Sequence, residues 1–500
     1  MRVLIYATSM KGCQEGSALE EALFHLDKGD DVFYLHCGQC MGGCYDNPTF
    51  NNLICKGCQY LLHKRTLSFL PKNCVHSVND FYDEDIERKV EGFQMPEGDS
   101  DAIRSLTFKG VDIGYGAFSS YISLTRNLNP IMKGDVKRYF FNIIKQEITL
   151  SLIGEKVVNF FKPDLIIFHN GRFAQYKPFL NIARNNNIDF IATESYLDRD
   201  GVAYKNNFNN TIPHDTDAYL KAYEETWNKC SDKEKKEKIG RSFFENRRYG
   251  KYAGDKIYVK DQKYGKLPEQ WEEGKEHIVI FNSSEDEYAA IDKTVDDLAL
   301  FKNQIEGIKA IMSRYGDDDM KQFVLRIHPN LAGIPYDYHT DLYKLNYKNL
   351  IVIAPESDIS SYALLDAADK VIVFGSTIGI ESAYWHKPVI CLAHSFYLKL
   401  DVAYNPKSEE ELWSYIDTKA LKEKYNDETL KFGYFYMSRN NDQFYYIKNG
   451  LFHYNILGRV YEYPRYCKLM GSTFLHMFLF EAFKKLCKII SKREFSKIPI

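Results

Sequence analysis

The sequence predicts an α/β fold with two halves, each built on a parallel sheet of its own. Short apolar runs alternate with segments of helical periodicity, and this alternation begins twice. The first series opens at Val3–Ala7 and the second at His277–Phe281. Strands that alternate with helices pack as parallel neighbours, because each helix returns the chain across the sheet before the next strand begins. We therefore expect two Rossmann-like domains that face a cleft.

The first half follows the order strand, loop, helix, strand. A loop of small residues at Thr8–Gly16 precedes apolar positions from Ala18 to Leu26 that recur at the helical spacing of 3.6 residues. Further on, a long helix leads into a buried strand. The elements predicted for this half are strands at Val3–Ala7, Val32–Leu35 and Leu165–Phe168, a strand ending at Glu194, and helices at 18–28, from Ser119, at 136–161 and at about 174–185.

The second half repeats the alternation after a polar stretch at 200–272, which we interpret as connecting helices. The charge run Asp232–Lys238 within this stretch is typical of a solvated helix face. The elements predicted for the second half are strands at His277–Phe281, Phe323–Ile327, Leu350–Ala354, Lys370–Phe374 and Val389–Leu392, and a helix near 293–314. The predicted domains are 1–270 with a cysteine-rich insertion at 36–74, 271–435, and C-terminal helices at 436–500.

Composition excludes several classes of protein. The 500 residues are 45% hydrophobic and 27% charged, which is typical of a globular chain. Lys and Arg number 65 against 68 Asp and Glu, and this balance argues against a partner made of nucleic acid. The sequence contains no apolar run of about 18 residues, so we expect no transmembrane helix. Its start has no small-residue cleavage site, so we expect no signal peptide.

Three polar segments follow predicted strands of the second half, and the carboxyl ends of parallel strands meet at one edge of a sheet. A Gly-Ser-Thr turn before a helix offers backbone N–H groups and hydroxyls to a phosphate, and Arg and His donate to phosphate oxygens. A carboxylate one helical turn beyond can accept from ribose hydroxyls. The predicted nucleotide site consists of Ser283, Ser284, Arg326, His328, Ser376, Thr377 and Glu381.

The run Ser357–Leu392, with its Gly-Ser-Thr-x-Gly-x-Glu segment followed by Lys-Pro-Val-Ile, resembles the carboxy-terminal Rossmann domain of GT-B glycosyltransferases. With Arg326-x-His328-Pro329 it most resembles the bacterial capsule and surface polysaccharide enzymes, including the Kdo- and sialyltransferase-like families and the teichoic-acid polymerases. The resemblance covers residues 277–392. It implies a CMP-, UDP- or GDP-linked sugar donor, with phosphate contacts from His328, Ser376 and Thr377, ribose contacts from Glu381, and no catalytic divalent cation.

The same resemblance implies that the amino-terminal domain binds the acceptor and supplies a general base. A carboxylate or a histidine can take the proton of the acceptor hydroxyl as the anomeric carbon is attacked. The candidates at predicted strand ends are Glu15, ranked first because related enzymes place a base in this loop, then Glu194 and His169, with Asp198 as a further candidate.

Cysteines are concentrated in the first 74 residues. Cys37, Cys40, Cys44, Cys55 and Cys58 include two Cys-x2-Cys pairs about fifteen residues apart, a spacing that suits a structural zinc ion. An iron–sulfur cluster and unligated thiols are the alternatives. We expect any such site to be structural, because four thiolates leave no open coordination position.

The tail at 473–497 predicts an amphipathic helix with a lysine-rich polar face. Such a helix suits the surface of an anionic membrane, and the alternative is a final helix packed on the protein.

These observations together predict a cytoplasmic glycosyltransferase, peripheral to the inner face of the membrane. It would transfer a sugar from a nucleotide-sugar donor to a surface polysaccharide, lipopolysaccharide or other lipid-linked acceptor. The alternatives are a CDP-polyol phosphotransferase of the teichoic-acid type and a non-catalytic, metal-binding assembly factor.

Overall fold

The computed structural model describes residues 1–8, 12–41, 44–45, 47–48, 50–59, 67–197, 202–251, 253, 257–438 and 482, and the backbone of 444–448, 453–456 and 459–462. Asp198, the side chain of Cys13 and, apart from Ala482, the tail at 473–497 lie outside these residues or their described atoms. No helix in this part of the chain is both long enough and apolar enough to cross a bilayer.

The strands, numbered in chain order, are β1 Arg2–Ala7, β2 Asp31–His36, β3 Val75–Ser77, β4 Thr107–Phe108, β5 Val111–Asp112, β6 Leu165–His169, β7 Asp189–Leu197, β8 Val202–Asn209, β9 Glu276–Phe281, β10 Lys321–Arg326, β11 Leu350–Ile353, β12 Lys370–Val373, β13 Val389–Cys391, β14 Phe444–Lys448, β15 His453–Ile456 and β16 Arg459–Glu462.

The α-helices are α1 Gly12–Asp27, α2 Asn52–Cys58, α3 Glu84–Glu91, α4 Ser100–Arg104, α5 Gly114–Thr125, α6 Gly134–Phe161, α7 Lys177–Asn185, α8 Thr216–Lys229, α9 Lys233–Arg248, α10 Lys293–Asp296, α11 Gln304–Tyr315, α12 Asp337–Thr340, α13 Ser361–Ala367, α14 Ile378–Tyr384, α15 Glu409–Asp417 and α16 Glu428–Ser438. Short 3-10 helices lie at Lys72–Cys74, Val78–Phe81, Glu285–Glu287, Pro329–Leu331 and Asp341–Lys344.

The chain divides into two compact units, Met1–Pro213 with Gln443–Ile500 as unit 1, and His214–Asp442 as unit 2. The sheet of unit 2 has the order β11-β10-β9-β12-β13, and its strands are all parallel. Unit 1 has the same order in the parallel part of its sheet, β3-β2-β1-β6-β7. In both, the chain winds outward in two directions from a central first strand, which is the Rossmann arrangement. The predicted α/β class with two Rossmann-like units is confirmed.

Unit 1 extends its sheet with antiparallel strands that the sequence analysis did not predict. Strand β8 pairs with β7, and β14, β15 and β16 follow in turn on its other side. The predicted helices at 436–500 are therefore wrong for 444–448, 453–456 and 459–462, where the chain forms strands. The division between units also differs from the predicted boundary at 270/271, because the chain enters unit 2 at His214.

The helices that follow His214 belong to the core of unit 2 and do not merely connect the two halves. Tyr223 of α8 and Phe243 and Phe244 of α9 are fully buried, in one apolar cluster with Phe432 and Phe435 of α16. Burial of five aromatic side chains explains why this stretch packs on unit 2 despite its polar composition.

Helices α9 and α16 cross at two glycines. A Cβ atom built on Gly240 would lie 2.6 Å from the carbonyl oxygen of Leu430, and one built on Gly433 would lie 2.3 Å from the carbonyl oxygen of Gly240. A side chain at either position would force the backbones apart, so the crossing fixes where the last turn of α9 lies.

Candidate functional site

A cavity lies at the carboxyl ends of β9, β10 and β12 in unit 2. Strand β9 is central in the sheet, with β10 on one side and β12 on the other, so these ends form the point at which the strand order reverses. Ligands of open α/β sheets bind at this point. The cavity has a volume of about 340 Å³, within the range of small-molecule sites. Its lining includes all the residues predicted for the nucleotide site, Ser283, Ser284, Arg326, His328, Ser376, Thr377 and Glu381.

The hydroxyl groups of the two serines after β9 form hydrogen bonds with neighbouring segments of the cavity wall. Ser283 Oγ donates to the carbonyl oxygen of Phe374 over 2.8 Å and accepts from Gln304 Nε2, also over 2.8 Å. Ser284 Oγ donates to Asp286 Oδ1 over 2.8 Å and accepts from Asn330 Nδ2 over 3.1 Å. Ser283 is thus a structural residue that joins the loop after β9 to the end of β12.

His328 presents one defined tautomer. Its Nδ1 accepts a hydrogen bond from the backbone N–H of Asn330 over 3.1 Å, so in the neutral ring the proton is on Nε2. Its own backbone N–H donates to Asn282 Oδ1 over 2.8 Å, which anchors the loop after β10 to the loop after β9. The ring meets that of Tyr258 edge to face at 5.1 Å. Nε2 is therefore a hydrogen-bond donor, as a phosphate ligand would require.

Arg326 is buried, and its guanidinium binds the protein's own backbone. It donates to the carbonyl oxygens of Ala354 and Ser357, the latter over 3.2 Å. Burial lowers the pKa of Arg326 to about 10, so the group is still protonated at neutral pH. No carboxylate in the described residues forms an ion pair with it. The carboxylate of Glu356 favours the charged form of Arg326 without pairing with it directly, so Arg326 brings a positive charge to the cavity wall that is only partly offset and that favours an anionic ligand.

The turn after β12 brings backbone close to backbone. Gly375 has a φ of +86°, and a Cβ atom there would lie 2.0 Å from the carbonyl oxygen of His394, so only glycine fits. The carbonyl oxygen of Ser376 accepts from Tyr397 Oη over 2.8 Å. Thr377 then precedes α14. This anchored turn sets the positions of Ser376 and Thr377 in the cavity wall.

Glu381 lies in the cavity wall with both carboxylate oxygens engaged by protein groups. Arg247 Nε donates to Oε1 over 2.9 Å, and the hydroxyl of Tyr362 donates to Oε2. Sequence reasoning missed Arg247, Tyr362, Tyr258 and Asn282, which also line the cavity. Only Asn282 carried a signal, because it directly precedes the predicted serines. Arg247 lies in a charged helix that sequence reasoning assigned to a linker.

Two of the predicted base candidates lie together at the equivalent point of unit 1. Glu15 and His169, with Thr8 and Thr193, line a cavity of about 10 Å³ beside β1 and β6, with room for about one water molecule. Gln14 Nε2 lies 2.8 Å from His169 Nε2. Glu15 lies in the first turn of α1 and not in a loop, because the helix begins six residues earlier than its apolar periodicity.

Glu194, the third candidate, lies inside β7 and not beyond its end. It pairs in register with Asn206 of β8, and it accepts a hydrogen bond from Asn170 Nδ2 in the turn after β6. Asn170 has a φ of +56°, and Gly171 follows with +84°. Glu194 therefore braces this left-handed turn next to His169.

The described residues contain no group of three or more His, Cys, Asp or Glu side chains that could hold a metal ion. The cysteines predicted as metal ligands, Cys37, Cys40, Cys44, Cys55 and Cys58, form no disulfide bonds with one another. The second Cys-x2-Cys pair lies within helix α2 and not in the tight turn of a zinc knuckle. Burial raises the pKa of both Cys37 and Cys40 to about 12, and Cys55 Sγ accepts from Asn47 Nδ2 over 3.1 Å. The described side chains therefore give the predicted metal site no support, and the site stays a prediction.

Two Rossmann-like units, one with a polar cavity where its strand order reverses, define the GT-B class of α/β protein. The family model described as "Capsule polysaccharide biosynthesis protein" matches residues 175–431, just over half of the chain. The chain belongs to this capsule polysaccharide biosynthesis family, as the sequence motifs predicted.

Solved structures show looser likenesses. The chain is similar to the beta Kdo 2,4 transferase of Thermosulfurimonas dismutans KpsC, with 13% identity and a TM-score of 0.35 over 62% of this chain and 86% of that one. For the beta Kdo 2,7 transferase of the same KpsC, the identity is 17% and the TM-score 0.31, over 56% and 78%. A UDP-GlcNAc 2-epimerase of Methanocaldococcus jannaschii shows 12% identity and a TM-score of 0.25 over 86% and 97%. These likenesses are too distant to indicate an activity. No curated protein matches the chain.

Proposed function

We propose that the protein is a glycosyltransferase that moves a sugar from a nucleotide-sugar donor to a growing surface polysaccharide or a lipid-linked acceptor. The observation that carries this proposal is the convergence of the predicted nucleotide-site residues on one cavity of unit 2. Membership in a capsule polysaccharide family supports the acceptor class.

The cavity supplies what a donor phosphate needs. His328 carries its proton on Nε2, Ser376 and Thr377 bring hydroxyl groups, and the buried charge of Arg326 favours an anion. The leaving group of a sugar transfer is a nucleoside phosphate, whose negative charge grows as the glycosidic bond to phosphate breaks. Fixed donors and a fixed positive charge stabilise that developing charge without rearrangement.

The acceptor oxygen forms the new bond to the anomeric carbon, and its proton passes to a base. In our proposal this base comes from unit 1, where Glu15 and His169 line the small cavity beside β1 and Glu194 lies in the adjoining strand β7. Glu15 is ranked first because it lines this cavity in the segment where related enzymes place a base. A location at the inner face of the membrane, through the tail at 473–497, is part of the same proposal.

A thermal-shift panel of CMP-, CDP-, UDP- and GDP-linked compounds, followed by transfer assays with the sugars that bind, tests this function. We expect one nucleotide class to raise the melting temperature of the wild type, and His328→Ala to abolish both that shift and sugar transfer. Transfer of a polyol phosphate from a CDP-linked donor would favour the phosphotransferase instead. If no nucleotide binds and His328→Ala leaves transfer intact, the proposal is wrong.

A further inference from the structure

An ion pair forms part of the cavity wall, and its two members come from different parts of unit 2. Arg247 lies in the last turn of α9, and Glu381 lies in α14. Arg247 Nε donates to Glu381 Oε1 over 2.9 Å, and both residues line the cavity. Tyr362 of α13 donates its hydroxyl to the other carboxylate oxygen. Three helices thus converge on one carboxylate.

This arrangement gives Glu381 a role different from ribose binding. The residue is only 2% exposed, and each of its carboxylate oxygens already accepts a hydrogen bond from the protein. Because so little of the residue is exposed, the lone pairs that remain on these two oxygens are poorly accessible to a ligand hydroxyl. Glu381 is therefore suited to hold its neighbours in place.

Arg247 is the neighbour that Glu381 orients. A guanidinium bound through Nε still carries N–H donors on its two Nη atoms, in the planar fork that matches phosphate oxygens. The guanidinium carbon also lies over the ring of Phe243, 5.2 Å from its centroid. The close crossing of α9 and α16 at Gly240 and Gly433 fixes the helix itself. A side chain held on three sides loses little entropy when it binds a ligand.

We infer that Arg247 binds a phosphate of the donor and that Glu381 and Tyr362 are positioning residues that hold Arg247 in place. This inference rests on the proposed function and adds to it a phosphate-binding residue outside the strand-end loops. It also changes the role of Glu381 from binding ribose to orienting an arginine.

The adjacent residue Arg248 provides a matched control. It pairs with Asp366, which is about half exposed, and it lies over the rings of Tyr362 and Trp385. Arg248 is not among the residues that line the cavity. The two arginines thus lie in the same helix turn, and each pairs with its own carboxylate. Only Arg247 lies in the cavity wall.

The test compares each nucleotide with its own nucleoside, because only the nucleotide carries phosphate. Affinities of cytidine and CMP, uridine and UDP, and guanosine and GDP are measured by calorimetry for the wild type, Arg247→Gln, Arg247→Lys, Glu381→Gln, Tyr362→Phe and Arg248→Gln. We expect Arg247→Gln to weaken the nucleotide roughly ten- to hundredfold and to leave the nucleoside unchanged. Arg247→Lys keeps the charge and loses the fork, so we expect an intermediate loss. Arg248→Gln should match the wild type.

Glu381→Gln separates the two roles of the carboxylate. If Glu381 positions Arg247, we expect a severalfold loss for the nucleotide alone, with Tyr362→Phe showing a smaller loss of the same kind. If Glu381→Gln weakens the nucleoside, Glu381 binds ribose and the inference is overturned. Equal losses for nucleoside and nucleotide in Arg247→Gln would also overturn it. If the wild type binds no nucleotide, the proposed function fails and not this inference alone. Should Arg247→Gln fail to fold, Arg247→Lys and Tyr362→Phe give the same comparison.

Discussion

Gly433 of α16 lies so close to Gly240 of α9 that a Cβ atom on Gly433 would stand 2.3 Å from the carbonyl oxygen of Gly240. Gly433→Ala would improve intrinsic helix propensity by about 1 kcal/mol. The clash with backbone outweighs this gain, so we expect a net loss of about 1–3 kcal/mol in the free energy of unfolding. Thermal unfolding measures it, with the exposed Lys238→Ala on α9 as the control. A raised melting temperature for Gly433→Ala would contradict the close crossing.

Ser283 and Thr377 line the same cavity but have different roles. Ser283→Ala removes the donor to the carbonyl oxygen of Phe374 and the acceptor of Gln304 Nε2, and both partners are buried. We expect it to lower stability by about 1–3 kcal/mol. Thr377→Ala should change stability by less than about 0.5 kcal/mol and weaken nucleotide binding. Urea unfolding measures the stability of the two variants, and calorimetry measures their affinity for the nucleotide. If Thr377→Ala lowers stability and Ser283→Ala weakens only nucleotide binding, the two roles are the reverse of those assigned.

Glu15→Gln tests the proposed base. Loss of a general base lowers kcat by about 10²–10⁴-fold, whereas nucleotide affinity depends on unit 2 and should stay at the wild-type value. His169→Gln and Glu194→Gln are measured alongside, since one of them replaces Glu15 in the mechanism if Glu15→Gln retains full turnover. A wild-type kcat in all three variants would show that the general base does not come from this part of unit 1.

Glu20 predicts a pH dependence of stability. It is buried on α1 beside the ammonium group of Lys205, and burial raises its pKa from 4.5 to about 7 in spite of that neighbour. The folded protein therefore keeps this proton up to about pH 7, whereas the unfolded chain releases it near pH 4.5. The folded state then loses stability as the pH rises between these values, by an amount on the order of 1–3 kcal/mol.

Melting temperatures of wild type and Glu20→Gln between pH 4.5 and 8 measure this contribution. We expect the glutamine variant to lose that part of the decline, while the exposed Glu87→Gln keeps the wild-type profile. Parallel profiles for wild type and Glu20→Gln would show that Glu20 ionises normally.

The cysteine-rich segment gives a prediction about reactivity. Burial raises the pKa of the Cys37 and Cys40 thiols to about 12, so few of them are thiolates at pH 8. We expect iodoacetamide to alkylate them at least about tenfold more slowly than free glutathione. Mass spectrometry of the native protein gives the rates, and treatment with a zinc chelator should not change them. If the chelator releases zinc and the cysteines are then alkylated faster, these cysteines bind zinc as predicted from the sequence.

Parallel strands such as β1 and β6 could be predicted because each contains an uninterrupted run of buried apolar residues, whereas the short, partly buried β3 was missed. Strand β8 has no such pattern, since Lys205, Asn206 and Asn207 stand at its centre. It forms because β7 offers an edge and because Lys205 and Asn207 bind the buried carboxylate of Glu21 on α1. Its stability thus comes from partners far along the chain, which the local sequence does not reveal.

The candidate site shows the same limit at the level of single residues. The strand-end positions of Ser283 and Arg326 could be predicted, because strand ends follow from the apolar pattern. Their roles could not, because the partners that occupy their polar groups, Gln304 for Ser283 and Ala354 for Arg326, are 21 and 28 residues away in sequence. Arg247 could not be predicted at all, since its helix packs on unit 2 through aromatic residues that the surrounding charges conceal.

The two units differ in whether their residues are synthesised in one continuous stretch. Unit 2 is one continuous stretch, His214–Asp442, whereas strand β14, which covers the free edge of β8 in unit 1, begins only at Phe444. A ribosome that adds about 5–20 residues per second needs roughly 10–50 s to pass from β8 to β14. During that interval the whole of unit 2 is synthesised, while β8 presents an unpaired edge to other nascent chains. A chain that stops before β14 would keep the edge of β8 exposed. Pairing with β14 therefore protects β8 from edge-to-edge pairing with other chains and also extends the sheet.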